Sequence, residues 1–231
     1  MSFKYSANVG FLWADLPLPE RIEAAAKAGF DAVECHFPYE HKVSEIDDVL
    51  KSTGLPMLGL DQAINYAVAI NAKNINVVAG VTDGGAKAQS VYVSNLQYAC
   101  DQAADHGKTI MIEPLNPRAV ANYHFSTVEQ AVKIIEAVER DNMKLMFDFF
   151  HAQIVEGDLE TVISAYVDHF THVQISAVHD RGEPDEGEIN YRYVLGALKK
   201  AGYKGYIGAE YKPRGDSVES GLSWLSEFRS F

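Results

Sequence analysis

The feature that most constrains the fold is a regular alternation of short apolar β runs with helical stretches, in which a carboxylate repeatedly ends a β run. The runs are Thr109-Ile-Met-Ile-Glu113-Pro, Lys144-Leu-Met-Phe-Asp148 and Tyr206-Ile-Gly-Ala-Glu210-Tyr. A fourth, His172-Val-Gln-Ile-Ser176, carries an amide, Gln174, in the same kind of place. An acid at the end of a buried strand is costly unless it is paired or binds a metal. Several strand ends converge on one mouth only when parallel strands close into a barrel or form an open sheet. The pattern therefore predicts an oxygen-rich site at the C-terminal rim of a β/α fold.

Eight βα units follow one another without a low-complexity tract or a Pro/Gly/Ser-rich linker. Strands are predicted from Phe3 to Asn8, Ala32 to His36, Leu55 to Leu58, Asn74 to Ala79, up to Glu113, Met143 to Asp148, Thr171 to Ile175 and Lys204 to Glu210. Helices are predicted from Pro17 to Gly29, Ser44 to Ser52 with Ser44 as N-cap, Asp61 to Asn71 and Lys87 to His106. The later ones are Ser126 (as cap) to about Arg140, Leu159 to Asp168, Tyr191 to Ala201 and Ser217 to Phe228. Proline and acid early and glycine late, as in Pro17 to Gly29, are the marks of helix ends. Strict alternation implies a parallel sheet. Eight units in 231 residues favour one closed (β/α)₈ TIM barrel, a single domain over residues 1–231. The four groups lie 35, 26 and 36 residues apart, each gap fitting one repeat of roughly 30 residues. They fall on strands five to eight, at one rim.

Composition narrows the function. A net charge of −12 opposes binding to nucleic acid or to an anionic membrane through general electrostatics. It leaves room for a small anionic substrate, since a metal or a local Arg can reverse the sign inside a pocket. Cys35 and Cys100 sit in apolar segments and read as small buried hydrophobes, with no disulfide framework. No segment approaches the ~20 apolar residues of a membrane span, and the N-terminal residues lack a signal-like apolar stretch, so a cytoplasmic location is expected. Nothing in the sequence fixes whether the chain forms a homo-oligomer.

Three carboxylates and an amide oxygen suit Mg²⁺ or Mn²⁺ better than Zn²⁺, which prefers His and Cys. The predicted ligands are Glu113, Asp148, Gln174 and Glu210. A single strand-end acid is as readily a helix cap or an ion-pair partner; four on successive strands are harder to explain that way. His151, three residues past Asp148 and beside Phe149-Phe150, is a candidate for supporting a ligand or touching substrate. His36 lies on predicted strand two and could face the mouth. The charged segment Arg181-Gly-Glu-Pro-Asp-Glu-Gly-Glu188 follows strand seven on the catalytic side, making Arg181, Glu183 and Glu188 candidates for loop ordering or substrate contact. Lys212 could neutralise a substrate carboxylate or pair with Glu210.

Several segments together resemble the hydroxypyruvate isomerase family of xylose-isomerase-like TIM barrels, over nearly the whole chain. They are Ser6-Ala-Asn8, Phe37-Pro-Tyr39, Ile112-Glu113-Pro-Leu-Asn116, Phe147-Asp148 with His151-Ala-Gln153, His172-Val-Gln174-Ile, Gly187-Glu188-Ile-Asn-Tyr191 and Glu210-Tyr-Lys-Pro213. Asp180-Arg-Gly-Glu-Pro-Asp-Glu-Gly-Glu and Lys212-Pro-Arg-Gly215 look closest to its 2-oxo-tetronate isomerase branch, and the segment from His106-Gly-Lys to His124-Phe-Ser126 points the same way. The resemblance implies Glu113 and Glu210 as the proton donor and acceptor. It implies Glu113, Asp148, Gln174 and Glu210 as metal positions. Asn8, His151, Arg181, Glu188 and Lys212 are the expected substrate contacts. The implied reaction moves a carbonyl between adjacent carbons of a small hydroxy-keto acid through an enediolate.

One departure from the family pattern stands out. The long segment expected after strand three is replaced by Leu58-Gly-Leu60 running almost directly into Asp61-Gln-Ala-Ile, roughly two dozen residues short of the ~250-residue norm of the fold. A more open mouth is expected from this. Three other readings compete. A ketose 3-epimerase of the same superfamily usually carries His where Gln174 stands. A DNA-repair endonuclease relative needs a His-rich multi-metal site and a less acidic surface. A barrel that lost activity with its loop would have had no reason to keep all four ligand positions.

Overall fold

The computed structural model describes residues 3–35, 41–61 and 64–230. Its strands are β1 (Lys4–Asn8), β2 (Ala32–Cys35), β3 (Met57–Asp61), β4 (Asn74–Asn76), β5 (Thr109–Ile112), β6 (Met143–Asp148), β7 (Phe170–Ile175) and β8 (Tyr206–Ala209). All are parallel and paired in chain order, and β8 pairs back onto β1, closing the barrel. Around them run α1 (Leu18–Lys27), α2 (Val43–Thr53), α3 (Ile64–Ala69), α4 (Ala86–Ala104), α5 (Val128–Val138), α6 (Phe149–Val155), α7 (Leu159–Tyr166), α8 (Tyr191–Lys200) and α9 (Ser223–Phe228). The expected (β/α)₈ TIM barrel is the fold observed.

The two-residue period of a strand sorts its side chains into two environments. Tyr5, Ala7, Val33, Cys35, Ile110, Ile112, Leu145, Phe147, Val173, Ile175, Ile207 and Ala209 join the apolar core. The alternate residues Ser6, Asn8, Glu34, Asp148, His172 and Gln174 are equally buried but polar: Ser6, His172 and Gln174 hydrogen-bond to Glu34, Asn8 to Glu210, and Arg181 to Asp148. The barrel lumen is thus polar toward its C-terminal end, and the stability of the fold resides in the apolar shell between sheet and helices. That shell is held by stacked Phe147 and Phe170, ring centroids 4.5 Å apart, and by Trp224 of α9 against Tyr5, Tyr211 and Phe228.

Helix α5 shows how locally the sequence specifies its elements. Val128, Ala131, Val132, Ile134, Ile135 and Val138 make one buried stripe at helical spacing. Its start is a capping box: Thr127 Oγ1 accepts from Gln130 N–H, and Gln130 Oε1 accepts from Thr127 N–H. The cap is therefore Thr127, one residue after the expected Ser126. Ser44 also fails as a cap: α2 begins at Val43, and Lys42 stands at the cap position with no side-chain bond. At its far end Gly54, in the left-handed region, closes the helix.

The boundary that moved most is the start of the last helix, expected at Ser217 and observed at Ser223, and strand three moved as well. β3 runs on through Asp61 and α3 starts only at Ile64, so Asp61 is a strand residue and not the start of a helix. Helix α6 was not foreseen, because Phe149-Phe150 continues the apolar run of β6. What turns the chain is Asp148, whose Oδ1 accepts from the Phe150 N–H and caps the helix. His36 and Phe37-Pro-Tyr39 lie outside the described residues.

Candidate active site

The site is assembled from the ends of β5, β6, β7 and β8 and the loop after β7. Glu113 and Glu210 each follow the last residue of their strand, and both are buried. Asp148 closes β6 and is register partner to Gln174 on β7, which in turn pairs with Gly208 on β8. The four predicted ligand positions therefore do share one end of the barrel.

Arg181 reaches into this acidic mouth from the β7–α8 loop. Its Nη2 donates to Asp148 Oδ2 at 2.9 Å and also to Glu210 Oε2. The guanidinium lies over the ring of Phe150 at 4.6 Å and near that of Phe11 at 5.6 Å. Low-polarity walls strengthen each of these charge contacts. The loop is pinned from outside, where Arg214 bridges Asp180 at 2.7 Å and Glu183 at 3.3 Å. The other oxygen of Glu210, Oε1, accepts from Asn8 Nδ2 at 3.0 Å, so both oxygens of this carboxylate are oriented.

Burial pushes the Asp148 carboxyl up to about 6, with Arg181 opposing and Glu210 reinforcing the shift. His151 is pushed down to about 3 by burial and by the neighbouring Arg181, so its ring is neutral at physiological pH. Its tautomer follows from its partners. Nδ1 accepts from the Asn116 backbone N–H at 2.9 Å and faces Asn116 Nδ2 at 2.8 Å, while Asn116 Oδ1 is engaged by Ala119 N–H. With Nδ1 accepting, the ring proton sits on Nε2, which is 3.8 Å from Glu113 Oε1 and 3.7 Å from Asp148 Oδ2. The same Nε2 stands 3.0 Å from Arg181 Nη1, so two donors confront each other.

Deeper in the lumen is a second cluster. Glu34 of β2 accepts from Ser6 Oγ, His172 Nε2 and Gln174 Nε2, each at 2.9 Å. Burial works against a charged His172 ring, but the adjacent Glu34 carboxylate holds its pKa above the usual histidine value. Gly208 is required here: a Cβ would collide with Glu34 Oε1 and stand 2.7 Å from His172 Nε2.

The Glu113, Asp148 and His151 side chains offer ligand atoms that all lie within 4.8 Å of one another, so this buried cluster can hold a metal ion. Comparison with known proteins supplies the context. Residues 57–228 match the family model of the xylose isomerase-like TIM barrel. The 2-oxo-tetronate isomerase of Haemophilus influenzae is 34% identical over 98% of this chain and 99% of its own length. The hydroxypyruvate isomerase of Escherichia coli is 32% identical over the same shares. The chain belongs to the hydroxypyruvate isomerase family of xylose isomerase-like TIM barrels. It is an enzyme of the isomerase class. Among solved structures, a family 2 AP endonuclease from Brucella melitensis superposes with a TM-score of 0.94 at 34% identity, covering 98% of this chain and 99% of that one.

This family member is short. The alignment to the Haemophilus enzyme runs over 257 positions but takes in only 98% of the 231 residues here. Only Gln62 and Ala63, outside the described residues, separate β3 from α3.

Of the expected substrate contacts, Asn8, His151 and Arg181 meet at the mouth. Glu188 is exposed; its backbone N–H donates to Val178 O at 3.3 Å. Lys212 is exposed too, and its backbone N–H donates to Arg181 O at 2.7 Å, holding the loop that carries Arg181. The cation on Glu210 is Arg181. Glu183 is buried and serves to order the loop through Arg214. Sequence reasoning missed Glu34, Asn116 and a role for His172. A signal existed for Glu34: an acid between Val33 and Cys35 on a buried strand violates the apolar run in the same way as Asp148 does. No described helix is long and apolar enough to cross a membrane.

Proposed function

We propose that this isomerase moves a carbonyl between adjacent carbons of a small hydroxy-keto acid of the hydroxypyruvate or 2-oxo-tetronate type, with Glu113 and Glu210 exchanging the proton. The observation that carries the reading is the pair of buried glutamates at the ends of β5 and β8, opening on one mouth with an arginine between Glu210 and Asp148. One carboxylate takes the proton from the hydroxyl-bearing carbon alpha to the carbonyl, leaving an enediolate. The other returns a proton to the former carbonyl carbon, and the hydroxyl proton passes to the former carbonyl oxygen. Asn8 holds Glu210 in line, and Nε2–H of His151 is a donor available to a substrate oxygen. The planar fork of Arg181 suits the substrate carboxylate, with Phe11 and Phe150 as dry walls.

The residues fit a divalent metal. Three carboxylates face one guanidinium and a neutral imidazole, leaving negative charge in excess. Gln174 Oε1 is buried and accepts no hydrogen bond among the described residues. We assign the ligand positions to Glu113, Asp148, Gln174 and Glu210; His151, with its proton on Nε2, is placed as a donor. A bound Mg²⁺ or Mn²⁺ would stabilise negative charge on the substrate oxygens.

Proton-exchange NMR in D₂O, with hydroxypyruvate and with 2-oxo-tetronate, tests this reading with EDTA and with added Mn²⁺ or Mg²⁺. The expected result is deuterium incorporation with carbonyl migration, dependent on metal. Inversion at a carbon with the carbonyl left in place would make the protein an epimerase, and no exchange with either acid would overturn the reading.

A further inference from the structure

Gln174 and its neighbours pose a question that the proposed chemistry leaves open. An amide side chain can present either its oxygen or its nitrogen to a cation, and only the oxygen binds one. The two ends are interchangeable by a half-turn unless something distinguishes them. Here Glu34 does so. A carboxylate only accepts hydrogen bonds, so the group that Gln174 turns toward Glu34 Oε2, 2.9 Å away, must be its NH₂. The oxygen is thereby turned to the other side, where it is buried without a donor among the described residues.

Glu34 is itself held from turning. Ser6 Oγ donates to its Oε1 and His172 Nε2 to its Oε2, each at 2.9 Å, and all four residues are at most 4% exposed. The bare backbone of Gly208 lets Glu34 approach β8, since a Cβ there would meet Glu34, His172 and the Gln174 Cγ together. Ser6, Gly208, Gln174 and Asp148 are successive register partners around the barrel, so the arrangement lies in the same layer as a proposed ligand.

We propose that Glu34, braced by His172 and Ser6, is a positioning residue that locks the Gln174 amide with its oxygen toward the divalent cation. The inference rests on the metal reading of the site above. A residue that acts only through Gln174 has no effect on metal affinity once Gln174 is gone, which a double-mutant cycle reads directly. Mn²⁺ binding is measured by titration calorimetry on the wild-type chain, Glu34→Gln, Gln174→Met and the double variant, with thermal unfolding recorded for each. Glu34→Gln preserves shape but offers an NH₂ to Gln174, freeing the amide to flip. It should weaken Mn²⁺ binding by roughly 10-fold to 100-fold, the usual effect of losing a partner that orients a ligand. In the Gln174→Met background the same change should alter affinity less than about twofold. If Glu34→Gln does not fold, Glu34→Asp, which is one methylene short of contact, is read in the same cycle. Equal losses in both backgrounds, no loss in either, or failure of both variants to fold would overturn the proposal. A wild-type chain that binds no Mn²⁺ would overturn the metal reading with it, whereas wild-type binding with additive losses overturns the positioning role alone.

Discussion

The barrel lumen holds two polar clusters that differ in how well their charges are matched. In the deep one, a single carboxylate, Glu34, receives three donors from Ser6, His172 and Gln174. In the mouth, Glu113, Asp148 and Glu210 crowd around one guanidinium, and His151 and Arg181 turn donors toward each other. A satisfied buried network rigidifies its surroundings, while an imbalanced one stores a preference for a ligand that would correct it. The deep cluster is thus read as scaffold and the mouth as the working site, although they share strands β7 and β8. Substitutions should separate them: changes at the mouth cost rate and metal directly, while changes in the deep layer cost stability and reach the metal only through Gln174.

The largest effect is expected from the two glutamates. Glu113→Gln and Glu210→Gln keep size and remove the base, and each should lower kcat by about 10²–10⁴. Thermal stability should hold or rise for Glu113→Gln, which relieves repulsion among the mouth carboxylates, and fall for Glu210→Gln, which also gives up the buried ion pair with Arg181. Steady-state kinetics with melting curves checks both halves. Near wild-type turnover in both variants, with metal still bound, would remove the glutamates from proton transfer.

Asp148→Asn should expose the charge imbalance through pH. Burial holds the Asp148 carboxyl at about 6, above its ordinary value of 3.8. Between those values the folded chain binds a proton that the unfolded chain does not, so in EDTA this group adds stability as pH falls and withdraws it as pH rises through 6. A bound metal requires the carboxylate, so with saturating Mn²⁺ the trend should reverse below pH 6. The asparagine can still accept from Phe150 N–H and keep α6 capped. Melting temperature from pH 4 to 7, wild type minus variant, should therefore slope in opposite directions with and without metal. Parallel slopes would mean that Asp148 is no ligand.

These contrasts also show why the sequence revealed one cluster and hid half of the other. Glu113, Asp148 and Glu210 were legible because each ends an apolar run and the repeat length puts them in register. The barrel followed from the same alternation, and β6 was placed at its observed bounds. Arg181 was legible only as part of a charged loop, since its insertion between Asp148 and Glu210 depends on the three-dimensional path after β7. Glu34 was passed over because its partners lie far away in sequence, His172 by 138 residues and Gln174 by 140. Helix α6 was lost to its own apolar start, and the cap of α2 to a serine that stands inside the helix. Long-range polar matching and exact element ends are tertiary properties, which local pattern cannot supply.

Gly208→Ala tests the deep layer with a single methyl group. The added carbon collides with Glu34 and crowds His172 and Gln174. Overpacking of this kind typically costs about 1–3 kcal/mol. For a domain of this length that lowers the melting temperature by roughly 2–4 °C per kcal/mol. Metal affinity should fall as well, since Gln174 is displaced. A variant that melts normally yet binds Mn²⁺ weakly would show that the deep layer is working site and not scaffold.

The smallest effect is expected outside both clusters, at the start of α5. Thr127→Ala removes the acceptor for Gln130 N–H and half of the capping box, a loss of about 1 kcal/mol. The position is a stringent control because the first turn of α5 also touches the mouth indirectly. Val128 N–H donates to Glu156 Oε1 at 3.2 Å, and Glu156 ends α6, the helix that carries His151. If the orientation of α6 is set by Asp148 and by the contact of Asn116 with His151, fraying α5 leaves kcat, KM and Mn²⁺ affinity within about twofold while denaturant midpoint falls. If kcat falls instead with stability, α5 rather than the barrel rim holds His151 in place, and the boundary between scaffold and working site has to be redrawn to include it.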